Sequence, residues 1–74
     1  MKVGRLILNA STQRVDIVYR DGTFYGGLHC GNTFDVLIRD DWRPTRIEYS
    51  HGTESWYLVG LGQNAEILGL TVRK

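Results

Sequence analysis

His29 and Cys30 stand side by side in a segment with three glycines in six positions, Tyr25-Gly26-Gly27-Leu28-His29-Cys30-Gly31-Asn32. An imidazole beside a thiol suggests an activated nucleophile, and either side chain is a metal ligand. Successive residues on extended chain point to opposite faces, however, so the imidazole does not naturally reach the thiol. A zinc site takes three or four protein ligands, and the only other imidazole or thiol in the chain is His51. The glycines invite comparison with a phosphate-binding loop, but neither a Lys-Ser/Thr ending nor a helical pattern follows them. The segment therefore reads as a wide turn in a curved sheet, with Cys30 buried as a small apolar residue beside a hydrogen-bonded His29. The adjacent carboxylates Asp40 and Asp41 read as a turn, since paired catalytic acids need facing positions in a cleft. No catalytic residue, metal site or cofactor is expected.

The stretch Trp42-Arg43-Pro44-Thr45-Arg46-Ile47-Glu48-Tyr49 has a different chemistry. If Thr45, Ile47 and Tyr49 face inward, parity turns Trp42, Arg46 and Glu48 outward. Trp and Arg concentrate binding energy in small areas, so Trp42, Arg43, Arg46 and Glu48 form a candidate recognition patch. Leu37, on the outward phase of its own strand, enlarges it. The alternative is structural: Trp42 folds over one end of the fold and Arg46 pairs with a nearby Asp.

Short elements must position these residues. Residues 2–8 form a first apolar run, and Val15, Ile17 and Tyr19 alternate with Arg14, Asp16 and Arg20 at the period of a half-buried strand. Asp21-Gly22 is a hairpin signal, after which Thr23-Phe24-Tyr25 resumes a strand-like composition. Phe34, Val36 and Ile38 alternate again. Pro44 belongs at a strand start or an edge, because it cannot donate to a ladder. Residues 50–54 read as a loop, and the near-continuous apolar run 56–61 as the most buried strand. Gly60 and Gly62 mark a bend at its end. Leu68, Leu70 and Val72 complete the strands, with a single helical turn expected over 63–66. Five to six short antiparallel strands without sustained helical periodicity predict an all-β domain over residues 1–74. Closing such a sheet removes its exposed edges, so the expected architecture is a small barrel, SH3-like first and OB-like second.

Composition narrows the functions. The chain has 74 residues, enough for one small core, and 42% of them are hydrophobic, too many for disorder. Nine basic and eight acidic residues leave a net charge of +1, which supplies no general attraction to nucleic acid. Seven of the nine cations are Arg, whose planar head suits specific contacts or cross-strand ion pairs. A single cysteine excludes an internal disulfide framework, and no apolar run approaches the ~20 residues that span a bilayer. The expected location is cytoplasmic, with no membrane association.

The order of segments is itself informative. Residues 25–31, then Phe34-Asp35-Val36-Leu37-Ile38, then Trp42 with residues 44–49, then Trp56-Tyr57-Leu58-Val59-Gly60-Leu61 closely resemble the DUF5348 family. These are short uncharacterised proteins of Gram-positive bacteria, often encoded on mobile elements. The resemblance implies intracellular, mobile-element-associated biology and transfers no catalytic residue. The expected function is a non-catalytic binding module with a protein partner, an adaptor or small inhibitor. Nucleic-acid binding through aromatic stacking and Arg contacts is the alternative. A thiol enzyme centred on His29 and Cys30 ranks last.

Overall fold

Arg39 and Asp40 both adopt left-handed backbone, with φ of 50° and 69°, as a two-residue type I′ hairpin loop requires. They join β3 (Thr33–Ile38) to β4 (Asp41–Ser50) with Ile38 opposite Asp41. The turn therefore falls one residue earlier than the Asp40-Asp41 reading, and Asp41 opens a strand. Alternation from that closing pair puts Pro44 opposite Asp35 at a non-hydrogen-bonded position, where its missing N–H costs the ladder nothing.

The computed structural model describes residues 1–62 and 65–74, and within them six antiparallel strands form one sheet. The others are β1 (Val3–Asn9), β2 (Arg14–Tyr19), β5 (Ser55–Leu58) and β6 (Thr71–Arg73). Their order is β2-β1-β6-β3-β4-β5, so the last and shortest strand lies inside the sheet and joins the two halves. Beyond it, Lys2 and Lys74 exchange backbone hydrogen bonds of 3.1 and 3.0 Å. Strand β4 pairs with β3 along its first half and with β5 along its second, which curls the sheet.

Every strand contributes to one core on the inner face: Leu6, Ile17, Val36, Ile47, Leu58 and Val72 are fully buried there. Leu28 and Ile67, from outside the strands, complete it. Gly4 is required by this packing, since a Cβ there would lie 2.5 Å from the Val18 carbonyl oxygen and 2.7 Å from an Ile17 methyl.

Among the described residues no pairing joins β2 to β5, so the sheet is open and not closed into a barrel. Residues 24–32 lead from the free edge of β2 to β3. Tyr25 and Leu28 donate N–H bonds to the Ile17 and Val15 carbonyls, and Gly31 donates to Ile47, whose N–H returns to Asn32 and extends the β3–β4 ladder. The Asp21-Gly22 turn forms as expected, but its second arm shrinks to a single Val18–Phe24 bridge. Gly26 and Gly27, at φ 116° and 98°, take the chain out of strand geometry there.

Two other expectations need correction. The run 56–61 is not the most buried strand: β5 is an edge strand of four residues, and only Leu58 is fully buried. Edge placement leaves its outer phase to solvent, and Gly60 and Gly62 turn the chain away. The final strand begins at Thr71, because Gly69 at φ 94° breaks the run and leaves Leu68 exposed. The helical turn expected over 63–66 lies partly outside the described residues, and no helix occurs among those described.

Candidate functional site

The β3–β4 register places Leu37 opposite Trp42 and Thr33 opposite Arg46, all on the face away from Val36 and the core. Insertion of β6 beside β3 then sets Arg73 opposite Asp35 on that same outer face. Arg73 Nε donates to Asp35 Oδ2 at 2.9 Å, and the guanidinium lies 4.4 Å from the centre of the Trp42 ring. The pair is partly shielded, with Arg73 35% and Asp35 20% exposed. One cation is thus held between a carboxylate and an indole, and both partners are fixed by the ladder beneath them. A depression of about 420 Å³ opens beside them, with Asp35, Pro44, Arg73 and Lys74 in its wall.

Trp42, Leu37, Arg46 and Glu48 therefore share one face, as parity required. Trp42 is half-buried, with the Arg73 guanidinium over its ring. Arg46 is paired, but with Glu48 on its own strand at 2.9 Å and not with an Asp. The two residues lie on one phase of the strand and reach each other locally. Arg43 is exposed, yet its opposite number is Val36, so it stands on the other phase from Trp42. Asp35 and Arg73 were not anticipated. Alternation in β3 put Asp35 outward with Leu37, but nothing local to Arg73 announces its neighbours, because they depend on which strand β6 joins.

The glycine-rich segment is held from below. Asp16 is only 2% exposed, and its Oδ1 accepts the N–H of Ile17 at 2.8 Å and of Gly26 at 3.0 Å. At the tip, Asn32 donates N–H to the His29 carbonyl and its Oδ1 accepts the His29 N–H at 2.8 Å. That tight turn lifts both His29 and Cys30 into solvent, so the expectation of a buried Cys30 is overturned. Among the described residues no three of His, Cys, Asp and Glu converge on a point that could hold a metal.

Two titrating groups near the β2 end depart from their ordinary values. Hydrogen bonds from the Thr23 hydroxyl and N–H hold the Asp21 carboxyl below the usual carboxylate value, with Lys2 adding to the effect. Burial pushes the Tyr19 phenol up, reinforced by Tyr25 and by the charge of Asp16. A separate apolar groove of about 440 Å³ lies between Leu8, Val15, Trp56, Ile67 and Leu68. Among the described residues no helix is long and apolar enough to cross a membrane.

These features define a small, open-sheet antiparallel β protein with one face packed as core and the other carrying an arginine-stacked tryptophan. The chain belongs to the DUF5348 family, a domain of unknown function, whose family model matches residues 4–74. It is also similar to a protein from Ruminococcus gnavus known from its crystal structure. The two are 45% identical with a TM-score of 0.84, over 99% of this chain and 100% of that one. No curated protein matches it.

Proposed function

We propose that this chain is a non-catalytic module that binds a protein partner on the outer sheet face around Trp42. The observation that carries the reading is the Leu37–Trp42 pair with Arg73 stacked 4.4 Å from the indole centre. Interfaces draw most of their energy from a few Trp, Tyr and Arg residues. An indole already held by the ladder, with its cation in place, loses little side-chain freedom on binding. Arg46 and Glu48 supply a polar rim, and residues 24–32 complete a half-closed, SH3-like barrel behind the face. The family resemblance points to a cytoplasmic adaptor or small inhibitor associated with mobile elements. The net charge of +1 counts against nucleic acid, since it supplies no general attraction to phosphates.

Affinity purification from the native host tests this, with wild type and Trp42→Ala as baits and a nuclease-treated sample of each. The expected result is a protein captured by wild type, retained after nuclease and lost with Trp42→Ala, while the variant keeps the wild-type circular dichroism. Equal capture by both baits, or capture abolished by nuclease, would overturn the reading.

A further inference from the structure

We infer that the docked partner presents an acidic segment, received by Arg5 and Arg20 on the outer face; this rests on the Trp42 face being the docking face. Arg5 is exposed at the centre of β1, and its cross-strand neighbours are Val18 and Thr71, neither of them acidic. Arg73 stands opposite Val3, diagonal to Arg5, which sets their Cβ atoms about 7 Å apart. Arg20 follows the Gly4–Tyr19 pair and, with Val3, Arg5 and Val18, lines a depression of about 270 Å³.

The acids nearest this group are already committed. Asp16 is buried with its Oδ1 on two backbone N–H groups, Asp35 holds Arg73, and Asp21 holds Thr23 and Lys2. Among the described residues Arg5 and Arg20 have no ion pair. With Arg73 neutralised by Asp35, Arg5 and Arg20 are left as like charges on neighbouring strands without a carboxylate, on the face where Trp42 lies. Carboxylates match the guanidinium fork and neutralise it on arrival.

Geometry sets the form of the ligand. From Arg20 on the β2 side to Trp42 on β4 the face crosses β1, β6 and β3, four strand spacings of about 4.8 Å. An extended segment of about six residues covers that distance at about 3.3 Å each. Its acidic end lies over Arg5 and Arg20, and an apolar side chain reaches Leu37 and Trp42.

The test is selection of a phage-displayed random peptide library on the intact protein, followed by fluorescence polarisation with the individual peptides. Selected peptides are expected to be rich in Asp and Glu with one aliphatic or aromatic residue. Their affinity should fall about tenfold or more in Arg5→Glu/Arg20→Glu, and several-fold between about 0.05 and 0.3 M salt. Peptides without acidic residues that are lost in Trp42→Ala would overturn this inference and leave the docking face standing. Peptides indifferent to Trp42→Ala would overturn both. Acidic peptides bound equally by the double Glu variant would overturn the arginine assignment. Displacement by single-stranded oligonucleotide at comparable concentration would overturn the choice of a protein ligand.

Discussion

Replacing Asp16 with Ala removes the acceptor that serves the outer edge of β2. The Val15 and Ile17 carbonyls on that edge receive N–H bonds from Leu28 and Tyr25, and Tyr19 is bonded to Thr23 and Gly22. The Ile17 N–H on the same edge has Asp16 Oδ1 at 2.8 Å, and Gly26 N–H shares that oxygen at 3.0 Å. A hydrogen bond to a charged group contributes about 1.5–3 kcal/mol, and a buried donor left without a partner costs a similar amount. Ile17 is fully buried, whereas Gly26 is exposed and regains water, so the Ile17 bond dominates and Asp16→Ala should cost about 3 kcal/mol. That is a large share of the roughly 4–11 kcal/mol expected for a domain of this length. Asp16→Asn keeps an acceptor in place and loses only the charge, so about half the cost is expected. Urea unfolding gives both values, and amide hydrogen exchange at Ile17 and Gly26 reports the bonds directly. A loss below about 1 kcal/mol for Asp16→Ala, or unchanged exchange at both amides, would refute the reasoning.

Gly4→Ala should destabilise by about 3 kcal/mol in the same unfolding experiment, because its Cβ would meet the Val18 carbonyl oxygen at 2.5 Å with no flexible atom to yield. Arg39→Asn with Asp40→Gly should stabilise by about 1 kcal/mol, since both positions have positive φ and the new pair favours that backbone. Tyr19 is favoured in its neutral form when folded, so its contribution is fully present below the unfolded tyrosine value near 10.0 and is lost as pH rises through the higher folded value. Stability measured against pH should fall across that alkaline window in wild type and fall less in Tyr19→Phe. A double-mutant cycle on Trp42 and Arg73 should return a coupling of about 0.5–1 kcal/mol, with each single variant folded.

How much of this was legible in the chain depends on how local the cause is. Except at Asp16, which is buried with its Oδ1 on the Ile17 and Gly26 N–H groups, alternation in 14–19, 33–38 and 45–49 marked inward and outward residues because strand parity is a property of neighbours in sequence. It placed Trp42, Leu37, Arg46 and Glu48 on one face. Parity also separates Arg43 from that face, a consequence that reading Trp42 and Arg43 as one cluster overlooked. The apolar run 56–61 misled because richness in apolar residues cannot distinguish a central strand from an edge strand beside a turn. Cys30 misled because a small apolar side chain suggests burial, whereas the hydrogen bonds between His29 and Asn32 close a tight turn that leaves it in solvent. Arg73 and its partners were out of reach, since they meet only through the insertion of β6 between β1 and β3.

That insertion has a kinetic consequence. The β1–β2 and β3–β4–β5 units each join strands that follow one another in the chain, and such local ladders form early. They have no common ladder until a three-residue strand some sixty positions from β1 slots between them. Loop closure over that span is slow, and until it happens the inner edges of both units are open to wrong partners. On the ribosome the order is built in: residues 71–73 are made after every strand they unite, so the sheet is the last part of this fold to be completed.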